Sequence, residues 1–229
     1  MSTPLTGISS MATRQVLAEL TAAYQQRSGR VVAIESVGGV DAAQRVQAGE
    51  AFDVVVLASG AIAKLRAAGR VLEGSQVDLV RSGVAVAVRA GTPVPPLDSE
   101  AAVQRAVLAA GSIGYSTGPS GVALAQLFER WGIAAQIGAR LVQAPPGVPV
   151  ASLVAQGQVE LGFQQLSELL NVDGITIAGA LPPAIQIETV FSAGICSVST
   201  QRDAARALLE FLASPQAAET KRRHGMAPA

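Results

Sequence analysis

The sequence predicts an α/β protein of two lobes around a central cleft, and three features predict it. Strand and helix signals alternate from one end of the chain to the other. Two long strand-like runs, residues 79–93 and 184–198, bracket an inner β-α series. Small residues recur where strands hand over to helices: Ser9-Ser10, Gly38-Gly39, Ala58-Ser59, Arg81-Ser82 and the run YSTGPSG at 115–121. The two long runs read as crossings between lobes. They place residues 1–80 with 188–229 in one lobe and 81–187 in the other. In open α/β sheets ligands sit beyond the C-terminal ends of the strands. The cleft is therefore the expected site and hinge closure the expected motion.

Each element has a local reason. After Ser10, the residues Val16, Leu17, Leu20, Ala23 and Tyr24 fall at helical spacing, and Gly29 stops that helix. Residues 31–34 read as a buried strand, and a short helix runs from Gly39 to Gly49. FDVVVLA at 52–58 is a second buried strand, leading into a helix with Ile62 and Leu65 on one face and Gly69 as its stop. β-Branched runs joined by helices predict a parallel sheet covered on both faces. The proline-rich loop at 93–98 then opens the inner series: a helix over 99–110, strand IGY at 113–115 and a helix over 120–131. Leu124, Leu127, Phe128 and Trp131 share one face of that helix, which makes Trp131 a core residue. A strand at 139–143, a helix after Gly147 and strand VELGF at 159–163 complete the series. The final helix buries Ala205, Leu208, Leu209 and Leu212, and Ser214-Pro215 caps a last short one.

Composition narrows the function classes. The chain has 229 residues, 49% hydrophobic and 15% charged, enough for a sizeable core. Lys+Arg and Asp+Glu are both 17, so no basic excess exists to meet a nucleic-acid backbone. Aromatic content of 3% argues against a base-stacking surface. The one cysteine, Cys196, lies in an apolar run and reads as a buried thiol; the one histidine, His224, reads as a solvated terminal residue. No metal site and no cofactor are expected from so few ligating side chains. No apolar stretch reaches bilayer-spanning length. The protein is expected in the periplasm if a leader has been removed, and in the cytoplasm if Met1 is the native start.

The candidate site is a set of anion donors. Helix N-termini carry unpaired N–H groups and a partial positive charge, so converging strand-to-helix junctions would grip a small anion. Ser9, Ser10, Gly38, Gly39, Ser59, Ser82, Ser116, Ser120 and Gly121 supply them here. Helix capping is the simpler reading for the serines and is compatible with binding. Gln164 and Gln165 add amide donors at a strand end. Arg81 suits a planar carboxylate through its two-pronged guanidinium. Asp53 is expected to order a neighbouring loop, because it would repel an anion. Glu168 is the one nearby carboxylate able to act as a general base, with an exposed helical residue as the alternative.

The segments QAGEAFDVVVLASG, SGVAVAV, IGYSTGPSGVALAQLFERWGI, LVAQGQVELGFQQLSELL and FLASPQAAETKRRHGMAP, in this order, resemble the type II periplasmic solute-binding proteins. Within them the resemblance is to the molybdate-binding branch, over nearly the whole chain. It implies the periplasmic-binding-protein type II fold and an oxyanion site. Carried over, Ser10 matches the first-loop serine, Val148 a backbone N–H donor, and Ser120 lies near the loop position of the second lobe. Gly38 or Gly39 replaces a serine, and Gln165 replaces a tyrosine. These departures point to a divergent subgroup that includes organic-acid binders and aconitate-isomerase-like members. The expected function is capture of a small anion, foremost an organic di- or tricarboxylate, for an ABC permease. The alternatives are an isomerase of a small tricarboxylate, a molybdate or tungstate binder, and a sensor lobe working with a partner chain.

Overall fold

A computed structural model describes residues 3–229. In chain order the elements are β1 (Leu5–Ser10), α1 (Arg14–Ser28), β2 (Val32–Val37), α2 (Gly39–Gln47), β3 (Val54–Ala58), α3 (Ser59–Ala67), β4 (Val77–Arg89), α4 (Glu100–Ala109), β5 (Ile113–Tyr115), α5 (Pro119–Arg130), α6 (Ala134–Ile137), β6 (Leu141–Gln143), α7 (Val150–Ala155), β7 (Leu161–Gln165), α8 (Leu166–Leu169), β8 (Ile175–Ala180), β9 (Glu188–Ile195), α9 (Arg202–Ala213), α10 (Ala218–Arg223) and β10 (Ala227–Pro228). The chain forms two compact units: one runs up to Ser82 and includes Thr189–Ala229, the other is Gly83–Glu188. Among the described residues no helix is long and apolar enough to cross a membrane.

In the first unit β1 pairs in parallel with β2 on one side and β3 on the other. Side chains alternate across the sheet. Val54 and Val56 therefore meet Leu17 and Leu20 of α1 and Leu208 and Leu212 of α9. Val55 and Leu57 face the opposite way, onto Val46 of α2 and Ile62 and Leu65 of α3. Burial on both faces explains the unbroken apolar reading of β3. Gly29 ends α1 in the left-handed region, φ 67°, donating its N–H to Gln25 O. The expected all-parallel sheet stops at β3, since β9 pairs with it antiparallel. β9 returns from the second unit and enters in the reverse direction; a strand buried on both faces looks alike in either sense.

In the second unit β5 pairs in parallel with β6 and β7, while β4 runs antiparallel to β7 and to β8. Val84, Val86 and Val88 pack with Val103 and Val107 of α4, and with Leu124 and Phe128 of α5. Phe128 meets Phe163 edge-on at 6.2 Å. Trp131 is half-buried against this cluster, and its indole N–H donates to Glu100 Oε1 at 2.6 Å. β8 was not anticipated: ITIAGA is only half-buried along most of its length and lacks a clean alternation.

Three further expectations are corrected. His224 is not simply solvated, because its Nε2 lies 2.9 Å from Glu19 Oε2. Arg223 bonds the same carboxylate. The histidine contact, ahead of the arginine, holds the Glu19 carboxyl below its ordinary value. Ser214 stands at the expected N-cap and its carbonyl accepts the Ala217 N–H, but its hydroxyl does not cap and donates back to Phe211 O at 2.7 Å. The long run 184–198 is strand only from Glu188 to Ile195, after a short turn of helix at Pro183–Ile185.

Asp53 ties the first unit together. Its carboxylate accepts from Thr6 N at 2.9 Å, Ser199 Oγ at 2.6 Å and Gln201 Nε2 at 3.2 Å. β1, β3 and the segment leading to α9 thus share one buried anion. Replacing it strands several donors, each costly to leave unmet. Asp53→Ala is expected to destabilise the protein by about 2–3 kcal/mol, read from the urea midpoint; an unchanged midpoint would show that these bonds carry no net stability.

Candidate functional site

Parallel pairing decides where the junction residues lie. β1, β2 and β3 run the same way, so Ser9-Ser10, Gly38-Gly39 and Ser59 all emerge at one edge of the first unit's sheet. Ser9 Oγ is engaged with Ser36 Oγ at 2.8 Å. Among the described residues Ser10 Oγ is buried with no hydrogen-bond partner, although Ser10 stands at a helix start and could have capped it. Gly39 adjoins it closely: a Cβ built there would lie 3.6 Å from Ser10 Cβ. Gly38 is the N-cap of α2 and offers no side chain to its N–H groups. Together these place one hydroxyl and the N-terminal face of α2 side by side.

Ser59 opens α3 and lines a cavity of about 420 Å³ with Gly60, Arg66, Gln76 and Asp78. Gln76 Oε1 is buried without a hydrogen-bond partner among the described residues, and Asp78 accepts the Ser192 hydroxyl at 2.6 Å. Neither Gln76 nor Asp78 stood out in the sequence, since neither sits at a small-residue junction. Arg81 is exposed on β4, paired with Ala227 of β10, and its Nη2 donates to Pro228 O at 3.4 Å. Its neighbour Ser82 is buried, with a hydroxyl that has no hydrogen-bond partner.

The second unit repeats the arrangement. β5, β6 and β7 are parallel, so the segments after Tyr115, Gln143 and Gln165 leave the sheet at one edge. Ser116 Oγ and Ser120 Oγ are 3.4 Å apart at the start of α5. Gly121 is required there, because a Cβ would fall 1.8 Å from Ser116 O. Val148 N–H donates to Pro145 O at 3.0 Å, closing a turn.

Gln164 and Gln165 are both buried at the end of β7. Gln164 Oε1 accepts the Ala151 N–H at 3.0 Å, and its Nε2 donates to Glu168 Oε1 at 2.9 Å. Glu168 is half-buried beside an apolar cluster of Ala85, Ala87, Ala151 and Leu169. That setting, more than the opposing Gln164 bond, pushes its carboxyl up to about 7. It is thus not the exposed helical glutamate that its sequence position suggested. Cys196, by contrast, is buried with its thiol pushed up to about 12, by desolvation and then by the Asp53 charge; it is not a nucleophile at neutral pH.

Residues 5–227 match the family described as bacterial extracellular solute-binding protein. The chain belongs to that family. A curated aconitate isomerase from a Pseudomonas species is 38% identical over 232 residues, spanning 99% of this chain and 88% of that protein. The periplasmic molybdate-binding protein of Azotobacter vinelandii superposes with a TM-score of 0.82 at 22% identity, over 97% of this chain and 98% of that one. A tungstate-binding protein from Desulfovibrio alaskensis gives 0.71 at 15% identity, over 99% of each chain. This solute-binding family member therefore has the type II fold seen in the molybdate and tungstate binders.

Two outcomes are expected. Gly121→Ala forces the start of α5 off Ser116 and is expected to cost about 1–3 kcal/mol; an unchanged thermal midpoint would contradict the close approach. Glu168 holds its proton in the fold up to about pH 7 but releases it near 4.5 when unfolded. Its stabilising share is full below pH 4.5 and is lost as pH rises through about 7. Glu168→Gln is expected to remove that component from a denaturation series across the window; superimposable wild-type and variant pH profiles would refute it.

Proposed function

We propose that this protein binds a small organic tricarboxylate of the aconitate class and interconverts its double-bond isomers. The observation that carries the binding is the buried, unpartnered Ser10 hydroxyl beside Gly39 and the open N-cap of α2. A hydroxyl shut away without a partner forfeits about 1–3 kcal/mol, and a bound carboxylate oxygen would restore it. The second unit offers neutral donors at its own edge: the Ser116 and Ser120 hydroxyls, the Gln165 amide and the Ser120 N–H, while Pro119 has no N–H and Gly121 N–H is taken by Gly118 O. In this reading each unit carries a rim of neutral donors suited to a carboxylate. Arg81 and Ser82 lie on the β4 crossing, where a second carboxylate could be met.

The choice of ligand follows the Pseudomonas aconitate isomerase, whose similarity extends along the whole chain. The Gly38-Gly39 and Gln165 positions also depart from the oxyanion pattern, which favours a larger, planar anion. Isomerisation needs one proton lifted from the methylene carbon and returned to the far alkene carbon. The double bond migrates, and atoms and electrons balance without a co-reactant. Membership of the extracellular solute-binding family supports a second reading, capture of the same acid for an ABC permease.

The test is a thermal-shift series with cis- and trans-aconitate, citrate, molybdate, tungstate and sulfate. A ligand at 100 times its Kd stabilises by about 2.7 kcal/mol. A shift with aconitate followed by interconversion in the proton NMR spectrum is the expected result. A shift with molybdate or tungstate alone would overturn the proposal; a shift with aconitate and no conversion would leave the transport reading. Ser10→Ala is expected to weaken aconitate binding at least tenfold, since a hydrogen bond to a charged acceptor is worth about 1.5–3 kcal/mol. Unchanged affinity would remove Ser10 from the site.

A further inference from the structure

We infer that Glu168 is the catalytic residue that carries the migrating proton, and that Gln164 is the positioning residue that fixes its carboxyl. The inference deepens the isomerase reading and rests on it. Three geometric observations support it. Glu168 follows directly from β7, at the same edge of the second unit as the Ser116–Ser120 pair, because β5 and β7 are parallel. Its orientation is set by a relay: Ala151 N–H to Gln164 Oε1, then Gln164 Nε2 to Glu168 Oε1, at 3.0 and 2.9 Å. Gln164 is itself buried, so the relay has little freedom. One carboxylate oxygen is thus held by an amide, and the carboxyl plane is aimed before any substrate arrives.

The surroundings favour proton transfer. No other charged residue occurs in β7, α7, α8 or β8, and β4, which pairs with β7, carries Asp78, Arg81 and Arg89. Its chain neighbour Leu169 is buried in an apolar cluster with Ala85, Ala87 and Ala151. A carboxyl desolvated in this way is poised near neutrality, where it can both accept and return a proton. The other carboxylates of this unit are placed differently. Glu160 precedes β7, at the opposite end, and accepts the Gly111 N–H. Glu100 accepts the Trp131 indole N–H. Asp98, Glu129 and Asp173 are exposed, and Glu188 lies at the boundary of the unit. In the first unit, His224 is bonded to Glu19 and Cys196 is buried.

The step balances on Glu168 alone. The carboxylate takes the methylene proton as that C–H bond breaks, and the electron pair forms the new double bond. The old π pair takes the proton back from the carboxyl at the far alkene carbon. The carboxylate is regenerated, and the product differs from the substrate only in the position and geometry of the double bond.

The experiment follows cis- and trans-aconitate by proton NMR with the wild-type full chain, Glu168→Gln, Glu168→Asp and Gln164→Leu. Wild-type activity, a loss of about 10²-fold or more in Glu168→Gln with its aconitate thermal shift retained, and partial return in Glu168→Asp are expected. Gln164→Leu is expected to lower kcat with KM little changed and to move the acidic limb of the kcat profile upward, because the lost amide no longer favours the ionised carboxyl. A Glu168→Gln protein as active as wild type would overturn the assignment and leave the isomerase reading standing. A wild-type protein that binds aconitate but converts neither isomer would overturn both.

Discussion

The parallel pairing of β1 with β2 and β3 is the constraint on which the first unit depends. Once three strands run the same way, every strand-to-helix junction leaves from one edge. Ser10, Gly39 and Ser59, far apart in sequence, become neighbours of a single rim. The second unit obeys the same rule through β5, β6 and β7. Donor groups therefore gather by topology, and the residues chosen for the junctions decide what they can hold. Asp53 protects this arrangement from within, since it fastens β1, β3 and the segment before α9 at the edge opposite to the donors.

The two rims differ in character. The first offers hydroxyls and helix N–H groups, with Ser10 left buried and unsatisfied. The second adds a titratable group, Glu168, whose proton affinity is set by apolar packing and one amide. A rim of neutral donors suffices to hold an anion. A rim that also presents a carboxyl poised near neutrality can move a proton on what it holds. This difference underlies the isomerase proposal, on a fold the protein shares with oxyanion-binding proteins.

Much of this was legible in the sequence, for physical reasons. Helical spacing and glycine stops place α1, α3 and α5, a run of valines places β3, and a long strand-like run places β4. Junction serines and glycines mark the rims because small residues are needed where the backbone turns at a strand end; Gly121, pressed against Ser116 O, is the sharpest case. What stayed hidden depends on contacts between distant segments. β8 is weakly patterned because it is only half-buried. The antiparallel return of β9 leaves no mark on its own residues. Glu168 is fixed through Gln164, which accepts the Ala151 N–H of α7, and Gln76 reaches the Ser59 cavity from the loop before β4. His224 became a partner of Glu19 only when α10 met α1.

The central claim is that the rim formed by Ser10 and Gly39 holds the ligand. The most direct measurement is an amide nitrogen–proton NMR titration of the full chain with trans-aconitate. The expected result is saturable shifts at Ser10 and Gly39, with little change along α9 and α10. Shifts confined to other surfaces, or none at ligand concentrations that raise the thermal midpoint, would contradict it.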